Sequence, residues 1–120
     1  MRGLGSLEAG VMDVLWAADH PLRVREVMER LVTARPLAYT TVMTILDNLH
    51  RKGYAQREMR DRAYHYQPAA TREESAAAAI RDLLREAGDA EAVLLHFART
   101  ASDGESKVLR SGLNRRQRST

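Results

Sequence analysis

Apolar residues recur along the first half of the chain at the spacing of α-helices. The clearest stripe, Val42, Ile45, Leu46 and Leu49, lies at i, i+3, i+4 and i+7, and it predicts an amphipathic helix over residues 37–53 that Gly53 ends. Two similar stripes predict earlier helices, one capped by Ser6 and one over residues 22–33. Their expected buried positions are Leu7, Val11, Met12, Leu15 and Trp16 in the first, and Val24, Val27, Met28, Leu31 and Val32 in the second.

A short β-hairpin is predicted directly after the third helix. Its strands are expected at residues 54–57 and 63–67, with Arg60, Asp61 and Arg62 at the tip. Tyr64 and Tyr66 share one strand face and are expected in the core. Three helices followed by a hairpin within residues 1–70 are typical of a winged helix-turn-helix, so the fold class is mainly α with a small β-hairpin.

The rest of the chain predicts three more helices in a separate domain. Thr71 and Glu74 form a capping-box signature, Gly88 ends that helix, Asp89 caps the next, and the last begins near Asp103. Such short helices bury little surface alone, so we expect a second copy of the chain to cover them in a C-terminal dimerisation domain. The positions expected at this interface are Ile80, Leu83, Leu84, Val93, Leu94, Phe97, Val108 and Leu109.

Charge follows the same division of the chain. Residues 1–70, the predicted winged-helix domain, carry a net charge of +2, and residues 71–113, the predicted dimerisation domain, carry −2. Residues 114–120 add three arginines, and this basic tail is expected to be disordered. The net charge of +3 over 120 residues permits a nucleic-acid partner without requiring one.

Composition excludes several kinds of site. The chain has no cysteine, which rules out disulfides, thiolate zinc sites and cysteine nucleophiles. Its four histidines lack ligand spacing, and no nucleophile motif or glycine-rich phosphate loop is present, so we expect no metal, no cofactor and no enzymatic activity. No apolar run resembles a signal peptide or a membrane span, and a cytoplasmic protein without membrane insertion is expected.

Polar residues on the outer face of the third predicted helix indicate contact with DNA. The amino-terminal part of a recognition helix meets base edges, and threonines there favour an A·T-leaning readout because their methyl groups pack on thymine. Arginine and lysine nearer the hairpin are expected at phosphates. The alternatives are a solvated surface for the threonines and hairpin arginines, and packing for Tyr39. The candidate DNA-contacting residues are Tyr39, Thr40, Thr41, Met43, Thr44, Asn48, Arg51, Lys52, Arg60 and Arg62.

Several short segments, in order and spacing, resemble the penicillinase-repressor family of the BlaI/MecI type. They are Leu7-x3-Val11-Met12-x2-Leu15-Trp16, the run from Ala38 to Thr44, Leu49-x2-Lys52-Gly53, and Asp61-Arg62-Ala63-Tyr64-x-Tyr66-x-Pro68. The resemblance implies a homodimeric repressor on palindromic operators with TACA/TGTA-like half-sites. These operators stand upstream of β-lactamase, an antibiotic-resistance function, or of other regulated operons.

The resemblance also implies inactivation by proteolysis. In the family a membrane-bound metalloprotease sensor leads to cleavage in the dimerisation domain, and the matching bond here is His96–Phe97. His96 stands where asparagine is usual, and Asn48 where many members carry arginine. The alternative role of Phe97 is an anchor of the dimer core. The copper-responsive branch has C-terminal cysteines, which this chain lacks, so copper sensing by thiolates is excluded.

Two other functions fit the same predicted elements. A one-component regulator would sense a small molecule between the domains, which needs a pocket with convergent polar groups. A winged helix used only for protein interaction would show no salt-dependent binding to duplex DNA. The leading prediction is a homodimeric repressor that acts by binding and performs no chemistry.

Overall fold

The computed structural model describes residues 3–119, which form two compact units. The first extends to Ala79 and contains α1 (Ser6–Ala17), β1 (Leu22–Arg23), α2 (Val24–Arg30), α3 (Tyr39–Arg51), β2 (Ala55–Arg60), β3 (Ala63–Pro68) and the start of α4 (Arg72–Glu86). The second begins at Ile80 and contains the rest of α4, α5 (Ala90–Thr100) and α6 (Asp103–Ser119). None of the helices within residues 3–119 has the length and apolar character needed to cross a membrane.

A single hydrophobic core holds the first unit together. The stripe predicted for the third helix is buried as expected, with Val42, Leu46 and Leu49 fully inside and Ile45 8% exposed. Burying a large aliphatic side chain contributes roughly 1.5–3 kcal/mol, so this shared cluster stabilises helices that would not form alone. The other buried members are Val11, Met12, Leu15, Leu22, Val24, Val27, Ala55 and Tyr66.

The sheet has three antiparallel strands in the order β1-β3-β2. Leu22 of β1 pairs with Tyr66 of the central strand, and both side chains are buried. The second helix therefore begins at Val24 and not at Leu22, and the predicted two-stranded hairpin is part of a larger sheet. Leu22 takes its backbone partner from a distant strand, which its local apolar spacing does not reveal.

The predicted ends of the early helices also need correction. α1 begins at Ser6 itself, because Gly5 is the N-cap and its amide donates to Glu8 Oε1 at 3.2 Å. Leu7, expected to be buried, is 43% exposed. α2 ends at Arg30, since Leu31 is already extended. Val32 is consequently 95% exposed in the loop to α3, where the prediction placed it in the core.

In the C-terminal half the predicted capping residues are confirmed. The Glu74 amide donates to Thr71 Oγ1 at 3.0 Å, and the Thr71 amide donates to Glu74 Oε1 at 3.1 Å. The Asp89 carboxylate caps α5 by accepting from the Ala92 amide at 3.0 Å. The prediction of a disordered tail is wrong for residues 114–119, because α6 continues to Ser119. Thr120 lies outside the described residues.

The start of α4 is held against α1. The Trp16 indole Nε1 donates to the Ala70 carbonyl oxygen at 3.0 Å, and the Arg72 guanidinium lies 4.7 Å from the centre of the indole ring. Arg72 also pairs with Asp13 at 2.8 Å. The half-buried Trp16 therefore holds the segment that leads into α4. The sequence had predicted a core residue at this position.

Candidate nucleic-acid interface

The side of α3 opposite its buried stripe presents a row of polar side chains. Thr40, Thr44 and Arg51 lie along the middle of this side, separated by four and seven residues, and all three are exposed. Thr41 is exposed on one flank, where Asn48 is half-buried. Thr40, Thr41, Thr44 and Arg51 thus lie open to solvent on one helix, as a recognition helix requires.

The carboxyl end of α3 turns the chain directly into the hairpin. Gly53 has a φ of 86°, which glycine adopts without steric cost. Its amide donates to the His50 carbonyl oxygen at 3.1 Å, and the Tyr54 amide donates to the Leu49 carbonyl oxygen at 3.0 Å. This pair of bonds is a Schellman motif. It brings β2 back beside the helix, so the hairpin forms a wing next to α3.

Lys52 has a structural contact that the sequence did not reveal. Its Nζ lies 2.8 Å from Glu8 Oε1 and 2.7 Å from the Gly3 carbonyl oxygen, which ties the end of α3 to the start of α1. The hydrogen bond from Lys52 lowers the pKa of the Glu8 carboxyl. A phosphate contact by Lys52 stays a prediction, and it would have to share this ammonium group with Glu8.

Asp47 links α3 to the wing. Arg51 Nε donates to its carboxylate at 3.0 Å from the same helix, and Arg57 Nη1 of β2 donates at 2.9 Å. Arg51, and then Arg57, hold the pKa of Asp47 below its ordinary value. The Arg57 guanidinium also lies 4.1 Å from the centre of the Tyr64 ring, a cation–π contact.

The wing ends in a two-residue turn of Asp61 and Arg62, whose φ angles are 50° and 67°. Arg60, just before the turn, pairs with Glu58 at 3.0 Å and lowers the pKa of that carboxyl. Arg62 makes no ion pair with any residue in the described part of the chain. Of the two predicted phosphate contacts on the wing, Arg62 is the one with an uncompensated charge.

An open cleft of about 390 Å³ separates the amino-terminal end of α3 from the wing. Arginines at positions 23, 25 and 62 line it, together with Tyr39 and Met43 of α3 and Met59 and Tyr64 of the hairpin. The four larger apolar and aromatic side chains are 40–54% exposed. We call this feature the wing cleft.

The residues predicted at a dimer interface lie on the surface of the single chain. Leu84 is half-buried, and α4 and α5 contain no buried residue. The exposed fractions are 59% for Ile80, 49% for Leu83, 42% for Val93, 50% for Leu94, 53% for Phe97, 71% for Val108 and 46% for Leu109. Leu95 and Leu113, which were not among the predicted interface residues, are 49% and 54% exposed.

The predicted cleavage bond, His96–Phe97, lies inside α5. The carbonyl oxygens of His96 and Phe97 both accept from Thr100 Oγ1, at 3.0 and 3.2 Å. Both side chains are exposed, whereas the peptide bond itself is held in a helical turn. Within residues 3–119, no group of histidine, aspartate and glutamate side chains is placed to bind a metal ion.

The sequence profile described as penicillinase repressor matches residues 4–115. The chain belongs to this family. The transcriptional regulator BlaI of Mycobacterium tuberculosis (strain CDC 1551 / Oshkosh) is 42% identical over 113 residues, which cover 92% of this chain and 82% of the relative. The resemblance inferred from the short motifs is thereby confirmed. The names of the family and of the relative describe a regulator and not an enzyme, in agreement with the predicted role.

Solved structures show the same fold. MepR, a transcription regulator of the Staphylococcus aureus multidrug efflux pump MepA, superposes with a TM-score of 0.52 at 17% identity, over 98% of this chain and 80% of that one. FabT of Streptococcus pneumoniae, solved in complex with DNA, gives 0.50 at 22% identity, over 98% and 76%. The predicted winged helix is confirmed by this likeness and by the strand order.

Several residues of the candidate interface were not predicted from the sequence. Arg23 and Arg25 line the wing cleft but were not among the predicted DNA-contacting residues. Arg25 did carry a signal, because a cation in the first turn of a helix is opposed by the helix dipole and invites a functional explanation. Asp47 and Arg57 meet only in the folded chain, so no local pattern marks them.

Proposed function

We propose that the chain is a homodimeric transcriptional repressor that binds a palindromic operator through α3 and the wing. The observation that carries the proposal is the exposed threonine row of α3 beside an arginine-tipped wing, in a member of the penicillinase repressor family. Operator half-sites of TACA/TGTA type would lie roughly 34 Å apart, or a multiple of that distance, to match a two-fold symmetric dimer.

Thr40, Thr41 and Thr44 are the proposed base-reading residues. A hydroxyl donates or accepts, and the threonine methyl packs on the thymine methyl, which suits A·T-containing half-sites. Tyr39, Met43 and Asn48 flank them. Arg51, Lys52, Arg60 and Arg62 supply phosphate contacts, which set affinity and register but carry little sequence information.

Dimerisation is proposed through the apolar side chains of α4, α5 and α6. Exposed apolar surface of this extent on three short helices is unfavourable in water, and covering it with the same surface of a second chain removes that cost. Two linked winged helices would then bind one palindrome with an avidity that neither has alone. The interface residues are those predicted, from Ile80 to Leu109.

The regulated operon is proposed to encode β-lactamase or a related function, and release is proposed to follow cleavage of His96–Phe97 by a membrane-bound metalloprotease system. Such a repressor works on DNA in the cytoplasm. The bond lies within α5, and proteases need an extended substrate, so α5 has to unwind locally before cleavage. Loss of α5 and α6 would then lower dimer affinity and release the operator.

Fluorescence anisotropy with two labelled duplexes tests the repressor proposal. One duplex carries a TACA/TGTA inverted repeat and the other a scrambled sequence, and each is titrated at several salt concentrations. We expect strong preference for the repeat, two chains per site, and steep salt dependence. Absence of binding to both duplexes at low salt would contradict the proposal and favour a protein-interaction module.

Alanine at Thr41 or Thr44 tests base reading. Each change should weaken operator binding by roughly 1–3 kcal/mol and non-specific binding much less, because the lost base contact is made only in the operator complex. Thr100→Ala is the matched control, since it removes the same atoms from α5 and should leave both affinities unchanged. Equal losses on operator and scrambled DNA would show that these threonines do not read bases.

A further inference from the structure

The wing cleft is positively charged. Arg25 and Arg62 form no ion pair with any residue of the described chain, and Arg23 is only partly compensated, since its Nε lies 3.4 Å from Glu26 Oε1. No aspartate or glutamate is among the described residues that line the cleft. A group that occupies it is therefore expected to carry negative charge.

The same cleft has an apolar surface that a bare anion would not use. Met43 is 42% exposed, Met59 54% and Tyr64 40%, and all three line the cleft. Tyr66 and Val24 also line the cleft and are almost fully buried. The shape and chemistry suit a ligand with an anionic group attached to a compact, weakly polar body.

The location of the cleft indicates which ligand has that chemistry. It lies between α3, the proposed reader of the major groove, and the wing. In duplex DNA the major and minor grooves are separated by one sugar–phosphate strand. When α3 occupies one groove and the wing reaches toward the next, the strand that separates those grooves passes between the two elements.

We infer that the wing cleft seats the sugar–phosphate backbone of the operator strand, with Arg25 and Arg62 as phosphate ligands and Met43, Met59 and Tyr64 packed on deoxyribose. The inference rests on the proposed DNA-binding function and adds residues that were not predicted as DNA contacts. A free small organic anion has the same chemistry, and the test separates these two sources.

Salt-dependent anisotropy with Arg25→Gln tests the phosphate contact. Because one phosphate contact is removed, the slope of log K against log salt concentration should become shallower by about 0.9. Affinity should fall on the order of tenfold, equally on operator and scrambled duplex. Arg30→Gln is the matched control, because Arg30 is exposed at the other end of α2 and lies outside the cleft. An unchanged slope for both Arg25→Gln and Arg62→Gln would overturn the inference.

Variants of Met59 test whether the apolar residues of the wing cleft pack on deoxyribose. Met59→Ala should weaken binding to both duplexes without changing the salt slope, and Met59→Leu should restore it. Full affinity of Met59→Ala would overturn the packing on deoxyribose. If Thr44→Ala abolishes operator preference while the cleft variants bind normally, the strand contact in the wing cleft is wrong and the proposed function stands. If the unaltered protein binds no duplex, the proposed function and the inference about the cleft are both wrong.

Nuclear magnetic resonance of the full chain distinguishes the two sources of anion. Amide shifts are recorded on addition of a duplex, of sodium benzoate and of inorganic phosphate in separate titrations. Shifts of cleft residues with the duplex alone support the strand seat. Saturable shifts with benzoate that Arg25→Gln abolishes, together with displacement of DNA, would assign the cleft to a small aromatic anion and overturn the inference.

Discussion

The two residues at the tip of the wing show how one position serves both folding and binding. Asp61 and Arg62 both have positive φ angles, the conformation that a two-residue hairpin turn requires and that Asn-Gly satisfies best. A left-handed conformation costs an ordinary residue roughly 1–2 kcal/mol. This chain has arginine at the second position, where glycine would relieve the strain, and a strained residue of this kind fits a side chain that serves in binding.

The double variant Asp61→Asn, Arg62→Gly should therefore be more stable than the parent but bind DNA more weakly. The double variant relieves the turn, so the free energy of unfolding should rise by about 1 kcal/mol in urea denaturation. Its affinity for duplex DNA should fall because the wing loses its uncompensated cation. Asp61→Asn alone is the control, since it eases the turn but keeps Arg62 and should bind DNA normally. A double variant no more stable than the parent would refute the strain.

At the scale of elements, the orientation of the wing depends on Asp47. This carboxylate accepts hydrogen bonds from Arg51 of α3 and from Arg57 of β2, and Arg57 also packs on Tyr64. The wing and the recognition helix are thereby fixed to one another by charged groups in addition to the shared core.

Acid should weaken the ion pairs that Asp47 forms with Arg51 and Arg57. The pKa of Asp47 is lowered in the folded state, so its stabilising contribution is complete above the ordinary value of about 3.8. The contribution is lost as the pH falls through the lower, folded-state pKa. Hydrogen exchange of the hairpin amides between pH 5 and pH 3 measures the loss.

Asp47→Asn provides the comparison for that experiment. The variant should exchange faster than the parent at pH 5, and the difference should shrink as the pH falls below the ordinary aspartate value of 3.8, because the parent loses the ion pairs over that range. Asp82→Asn is the control, because Asp82 also pairs with an arginine, Arg85, but within α4. A difference between parent and Asp47→Asn that is independent of pH would argue against the ionic link.

At the scale of the whole molecule, the two compact units differ in how they bury apolar surface. The first unit has a continuous core of twelve buried residues among those described. The described residues of α4 and α5 include no buried side chain, and Ile80, Phe97 and Val108 are more than half exposed. The second unit is thus far less self-sufficient than the first, which supports a partner surface provided by another copy.

A charge placed in that surface should separate the dimer. Leu84→Asp or Phe97→Asp should yield a monomer in sedimentation velocity, because an unpaired carboxylate cannot be buried without large cost. Operator affinity should then fall by roughly 10²–10⁴-fold as avidity is lost. Ala78→Asp is the matched control, since Ala78 is exposed on the opposite side of α4 and should leave the dimer intact. Survival of the dimer in both variants would place the interface elsewhere.

Much of this architecture was predictable because its determinants are local. The stripe from Val42 to Leu49, the turn at Gly53 and the capping box of Thr71 and Glu74 each act within a few residues, and each was confirmed. The strand at Leu22 was missed because its partner, Tyr66, is remote in the chain. The exposed position of Val32 was missed for a related reason, since apolar spacing continued beyond the end of α2.

The presence of the helices and the wing, the family and the threonine row that we propose to read bases could all be predicted from the amino-acid sequence, apart from the helix ends corrected above. All of these depend on residue type and short spacing, which the chain carries without folding. Which charged side chains remain unpaired depends on the folded structure. Lys52 is drawn to Glu8 and Arg57 to Asp47, while Arg25 and Arg62 come together at one cleft. Contacts between distant residues arise only when the core packs, so no local pattern could assign them.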